Sequence, residues 1–141
     1  MPVAFPPVSE SASDTSNSTS NSPGDDGTPT GTSRPVAGTG DVDIALVTLS
    51  FAAADPDQLL AALSKYVVLA RGEEGCRNID LCSPVASPSR FVIIEKWESA
   101  DSARTHFDSE VMMEMAQACT GILTEPPVID LLEGLSAHDL A

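Results

Sequence analysis

Three side chains in this sequence have the types needed to move a proton and hold a planar molecule: Glu95, Trp97 and His106. His106 is one of two histidines, the other being His138 near the C-terminus. A neutral imidazole can act as a general base, taking a proton from a bound molecule. Trp97 is the sole tryptophan, and its flat ring suits stacking against a planar substrate. Glu95 shares an apolar stretch with Phe91, Ile93 and Trp97. A carboxylate there must pair with a buried Arg or His, or be held with a raised pKa. Arg71 and Arg77 are candidate partners. Each residue also has an ordinary structural reading: His106 as a hydrogen-bonded histidine at a helix–sheet junction, Trp97 as a large core residue, and Glu95 as half of an ion pair.

The elements that must position these residues can be read from periodicity. Phe91 to Glu98 alternates as a strand, with Phe91, Ile93, Glu95 and Trp97 on one face. Ser99 caps a helix running to about Phe107, on which Ala103, His106 and Phe107 share a face. Upstream, Val42 to Phe51 is a strand apolar on both faces, so both faces should be covered. Asp55-Pro56 starts a helix carrying Leu59, Leu60, Leu63, Tyr66, Val67 and Ala70, and Gly72 or Gly75 ends it. Cys76 to Cys82 fits a strand. Ser109 to Leu123 is expected to form a third helix, with Val111, Met112, Met115, Ala118, Cys119 and Ile122 along it, and Val128 to Leu132 a last strand. Met112, Met113 and Met115 could be soft ligands, but methionines on an amphipathic helix are ordinarily core filler or pocket lining. The order strand, helix, strand, strand, helix pair, strand is the split βαββαβ arrangement of a ferredoxin-like α+β domain.

Composition divides the chain. Residues 1–40 hold eight Ser, six Thr, six Pro and five Gly, too little apolar matter to offset ordering entropy, and are expected to be a disordered tail. Residues 41–134 form the domain and 135–141 a loose C-terminus. The net charge of −14 falls mainly on the folded part, −11 against −3 for the tail. Such a field repels phosphate backbones and anionic membranes, so neither nucleic acid nor a membrane is an expected partner. Cys76, Cys82 and Cys119 show no CxxC spacing and read as free buried thiols. No signal peptide or membrane span is discerned, and the expected location is cytoplasmic. No metal-ligand cluster or dinucleotide fingerprint is present, so no cofactor is expected.

Three segments carry a more specific likeness: Arg71-Gly-Glu-Glu-Gly-Cys76 leading into Asp80, Pro88-Ser-Arg-Phe91 leading into Glu95-Lys-Trp97-Glu-Ser99, and Ala103-Arg-Thr-His106-Phe-Asp-Ser109. In sequence and spacing they resemble the antibiotic biosynthesis monooxygenase family. The resemblance implies a homodimer whose sheets pack face to face into a dimeric α/β barrel, with a pocket between helices and sheet in each subunit. It also implies cofactor-independent oxygenation of an aromatic, quinol-like or polyketide-like small molecule, with dioxygen as co-substrate. His106, Trp97 and Glu95 would be the catalytic group, and Phe91, Ile93, Phe107, Met112, Met115 and Tyr66 would line the pocket. The haem-degrading branch of the family uses an Asn early in the first strand, which Asp41 to Phe51 lacks, so that activity is not supported. Ile79 stands where many members have a Tyr. The alternative is a non-catalytic dimeric domain that binds a small molecule or a partner, and an isomerase acting on a small carbonyl compound is a third reading.

Overall fold

The computed structural model describes residues 5–10 and 43–137, in which the elements follow as β1 (Ser9–Glu10), β2 (Ala45–Ala52), α1 (Pro56–Ala70), β3 (Cys76–Cys82), β4 (Arg90–Trp97), α2 (Ala100–Phe107), α3 (Glu110–Cys119) and β5 (Val128–Glu133). The strands form one sheet in the order β1-β5-β2-β4-β3. Every pairing is antiparallel except β1 with β5. Without β1, this is the ferredoxin-like α+β sheet that the order of elements implies.

Side-chain alternation decides which face is the core. Ala45, Val47, Leu49 and Phe51 of β2, Phe91, Ile93, Glu95 and Trp97 of β4, and Ile129 and Leu131 of β5 are all buried on the face the helices cover. Leu59, Leu63, Tyr66, Val67 and Ala70 of α1 meet them at three- and four-residue spacing. Asp55 caps α1 by accepting the Gln58 N–H, with Pro56 at the first helical position. Ser99 and Ser109 cap α2 and α3 in the same way. The opposite sheet face carries Leu46, Thr48, Ser50, Val92, Ile94, Val128 and Leu132, a mixed surface that the helices of the same chain leave uncovered.

Several boundaries differ from the sequence reading. β2 begins at Ala45, and Val42 lies outside the described residues, as does His138. The third helix stops at Cys119 instead of reaching Leu123, because Thr120 turns to extended backbone and Gly121 takes a φ of 79°. Leu123 bridges to Ala53 instead. β4 ends at Trp97, and the Glu98 N–H donates to the Gly75 carbonyl at 2.8 Å. Of the three thiols expected to be buried only Cys119 is; Cys82 is exposed and Cys76 half-buried, both on β3 at the edge of the described sheet. No strand is expected from the composition of residues 1–40, yet Ser9 and Glu10 extend the sheet beyond β5.

Two glycines sit where L side chains are strained. A Cβ on Gly121 would meet nothing within 4 Å, whereas one on Gly75 (φ 84°) would lie 2.7 Å from Ser102 Oγ and 2.8 Å from Ser102 Cβ. Gly121→Ala should therefore cost only the left-handed strain, about 1 kcal/mol. Gly75→Ala should cost more, since it also pushes α2 off the turn. Urea unfolding of the two variants measures the difference, and equal costs would refute this account of Gly75.

Candidate functional site

Four elements converge on one buried polar chain. The alternation of β4 turns Glu95 and Trp97 inward, and the sheet register sets Val47 and Ile79 on either side of Glu95. Both neighbours are apolar and fully buried, so Glu95, itself 0% exposed, must find its partners from above the sheet. Trp97 donates its indole N–H to Glu95 Oε1 at 2.9 Å. The Tyr66 hydroxyl, from the buried stripe of α1, donates to Glu95 Oε2 at 2.5 Å. The same hydroxyl lies 2.6 Å from Nε2 of His106, which is 2% exposed on the inner face of α2. His106 Nε2 is also 3.7 Å from Glu95 Oε1. Its other nitrogen, Nδ1, is hydrogen bonded to Glu73 Oε2. The imidazole stacks on the Trp97 ring, with centroids 4.5 Å apart and planes inclined by 25°.

The turn between α1 and β3 holds Glu73 in place. The Glu73 N–H donates to the Ala70 carbonyl, and the Cys76 N–H donates to the Glu73 carbonyl. Arg71 clamps the turn onto β3 by donating from Nε and Nη2 to the Ile79 carbonyl at 3.2 and 2.7 Å. Arg71 is therefore not the partner of Glu95, and Arg77 is exposed on β3. The groups that satisfy Glu95 are Tyr66 and Trp97, with His106 close by. Among the described residues, every buried side-chain nitrogen and oxygen has a hydrogen-bond partner.

Counting protons shows what the chain can do. Tyr66 has one hydroxyl proton and two neighbours able to accept it. If Tyr66 donates to an ionised Glu95, Nε2 of His106 must carry a proton to donate to Tyr66. With a second proton on Nδ1, directed at Glu73, His106 is then a cation. Moving one proton across each of the two bonds gives neutral Glu95, Tyr66 donating to Nε2 and a neutral imidazole. The two arrangements carry the same net charge. Burial raises the pKa of Glu95 and favours the second, while attraction to a His106 cation and the Tyr66 and Trp97 hydrogen bonds act the other way. Tyr66 is held far above the ordinary phenol range by burial and by Glu95, so it stays a phenol while relaying protons. Burial and the Glu95 and Glu73 carboxylates push Cys76 up to about 11, and burial alone pushes Cys119 up to about 11, so neither thiol is a nucleophile near neutrality.

The residues expected to line a pocket separate. Phe91, Ile93 and Met112 are packed into the core, and Phe107 is half-buried with its ring centroid 6.1 Å from that of His106. Tyr66 and Met115 line a shallow groove of about 50 Å³ between α1 and α3, together with Ala62, Lys65, Val111 and Glu114. That volume is well below the several hundred Å³ typical of small-molecule sites. The sequence reading missed Glu73 as a site residue, although it lies within the Arg71 to Cys76 motif. It also assigned Tyr66 only to the pocket wall. A lone tyrosine on the apolar stripe of α1 signals a hydroxyl in need of a buried partner. No group of three or more His, Cys, Asp or Glu able to hold a metal ion occurs among the described residues, and none of their helices is long and apolar enough to cross a membrane.

The fold defines the class, a ferredoxin-like α+β domain with an acid–base chain enclosed between helices and sheet. The family model described as antibiotic biosynthesis monooxygenase matches residues 44–118, more than half of the sequence, and the chain belongs to this family. Among solved structures, Rv0793 from Mycobacterium tuberculosis is similar at 24% identity and a TM-score of 0.61, covering 68% of this chain and 99% of that one. PA3566 from Pseudomonas aeruginosa is similar at 24% identity and a TM-score of 0.59, covering 70% and 100%. SnoaB, a cofactor-independent oxygenase from Streptomyces nogalater, is similar at 14% identity and a TM-score of 0.58, covering 68% and 96%. At these identities the likeness establishes the fold. Among curated proteins, none matches this sequence.

The buried carboxyl makes a prediction about pH. In the unfolded chain Glu95 loses its proton near 4.5, while in the fold its pKa is raised. The unfolded state therefore releases the proton first, and stability falls as pH rises from 4.5 through the folded value. Glu95→Gln keeps an acceptor for Trp97 and a polar contact for Tyr66 without a titratable group. It should remain folded and lose that component of the slope. Glu95→Ala strands both donors and should cost about 2–5 kcal/mol. Urea unfolding across a pH series tests both, and parallel pH profiles for wild type and Glu95→Gln would reject the assignment.

Proposed function

We propose that this protein is a cofactor-independent oxygenase acting on an electron-rich aromatic, quinol-like or polyketide-like small molecule. The observation that carries the reading is the continuous hydrogen-bonded chain Glu73–His106–Tyr66–Glu95, closed by Trp97 and buried except at its Glu73 end. Such a chain can accept a substrate proton at one member and pass it along to Glu73, whose side chain is 21% exposed, so that the added charge leaves the core. The deprotonated substrate then supplies the electrons. A hydroquinone and dioxygen give a hydroxyquinone and water, and an anthrone and dioxygen give an anthraquinone and water, one oxygen atom entering the product in each case. Membership of a family that includes monooxygenases, and likeness to the Streptomyces nogalater oxygenase, support this chemistry. In this reading His106 is the base or orienter, Trp97 a stacking surface and Glu95 the buried carboxyl that shares its proton with Tyr66. Tyr66 also lines the groove between α1 and α3, so substrate entering there would meet the chain once those helices part.

A second reading follows from the closure of the same cluster. Both nitrogens of His106 are engaged and the residue is 2% exposed, as expected of a polar network that specifies the packing of a non-catalytic binding domain. Oxygen uptake separates the two. With a hydroquinone or anthrone substrate and no added flavin or metal, the wild type should consume oxygen, and His106→Ala should be slowed at least about tenfold while remaining folded. No uptake across a panel of such substrates by folded protein would favour the binding domain.

The uncovered sheet face supports a homodimer in either reading. Ile94 is 37% and Val128 55% exposed there, beside half-buried Leu46, Val92 and Leu132. An apolar surface of this kind fits a second copy of the sheet. Ile94→Asp should shift the protein toward monomer in sedimentation equilibrium, and a wild type already monomeric at tens of micromolar, on the order of ordinary dimer affinities, would exclude it.

A further inference from the structure

The outer edge of β5 is not a bare edge, since the N-terminal segment Phe5–Glu10 lies along it. Ser9 pairs with Asp130 and Glu10 with Leu131, in parallel. That register places Glu10, and by alternation Val8, on the side of the sheet where Leu131 and Ile129 face the helices. Val8 and Phe5 pack against the hydrophobic core, and the Phe5 ring sits 6.3 Å from that of Phe51, inclined by 58°. Glu10 accepts from Arg104 on α2, at 3.0 Å from Nε and also from Nη2. Arg104 is two residues from His106. Pro6 and Pro7 fix two of the backbone torsions between the apolar anchors, so the segment loses little freedom on docking. Edge pairing, two apolar anchors and a charge match are the features by which sheet edges take up extended peptides.

We propose that the β5 edge and the adjoining flank of α2 form a binding site for an extended segment carrying apolar residues three apart and an acid two further on, and that its occupant is the chain's own Phe5–Glu10, docked on the same protomer as a detachable strap. The strap is held by two ladder residues, two half-buried side chains and a solvent-exposed ion pair, which is little compared with the core it covers. It opens without unfolding the domain. While closed, it covers the helix-side edge of the sheet and links β5 to the helix that carries His106. This inference is independent of the oxygenase reading.

Hydrogen exchange on the full-length chain tests it. In Phe5→Ser/Val8→Ser, the β5 amides directed toward β1 should lose protection by at least about tenfold, while those directed toward β2 keep theirs. A synthetic peptide of residues 1–12 added to that variant should restore the lost protection. Glu10→Arg should weaken protection, and Glu10→Arg combined with Arg104→Glu should recover it. Unchanged protection in Phe5→Ser/Val8→Ser overturns the strap. Protection that rises with protein concentration also overturns it, since the segment would then dock on a second copy. Loss of protection throughout β2 and β4 in the double serine variant would mean that the segment is part of the cooperative core, and would equally reject a detachable strap.

Discussion

The placement of an ionisable carboxyl between Val47 and Ile79, at the centre of an apolar sheet face, is the constraint around which the domain is arranged. A carboxyl so enclosed is tolerated only where both oxygens are hydrogen bonded. Each donor comes from a different place: Trp97 two residues along the same strand, Tyr66 from α1, and through Tyr66 the imidazole on α2. The positions of both helices are thereby tied to one oxygen pair. The turn after α1 completes the set by bringing Glu73 to the far nitrogen of His106. Packing alone would hold α1 and α2 over the sheet. The hydrogen bonds restrict how they can rotate or slide.

That arrangement also explains why the polar chain and the folding core are hard to separate. Trp97, Tyr66 and Glu95 are among the largest fully buried side chains, so the groups best able to do chemistry also fill the most volume. Loss of any one leaves a void and an unpaired polar atom together. Loss of activity on mutating such a residue is therefore informative only beside a measurement of folding.

Much of the fold was legible from local pattern. The β4 alternation, the serine caps of α2 and α3 and the Asp55-Pro56 start of α1 are short-range signals, and the elements form where those signals lie. The end of α3 was harder, because Ile122 and Leu123 continue the apolar spacing although Gly121 has already broken the helix. The site was legible in part. Glu95, Trp97 and His106 could be picked out by type, but the connection between them runs through Tyr66 and Glu73, which are 29 and 33 residues away from Glu95 and His106 respectively. Spacing along one element cannot reveal such links. The partners considered for Glu95 were arginines because charge suggests charge, whereas the fold satisfies it with a phenol and an indole. The pairing of Ser9 and Glu10 with β5 was not legible, since it depends on register with a strand at the other end of the sequence.

The distance in sequence between β1 and the rest of the sheet has a thermodynamic meaning. Thirty-two residues separate Glu10 from Asp43, so the N-terminal strand is tethered to its own edge whenever it leaves it. Covalent attachment makes redocking intramolecular, at a local concentration above that of separate molecules. A modest intrinsic affinity, which a free peptide matches only at high concentration, then suffices to keep the edge covered most of the time. Each tenfold change in that affinity, about 1.4 kcal/mol, resets the fraction of uncovered molecules by a similar factor. Composition changes in an otherwise polar leader can thus tune how often one side of the sheet is open, with no alteration to the domain itself.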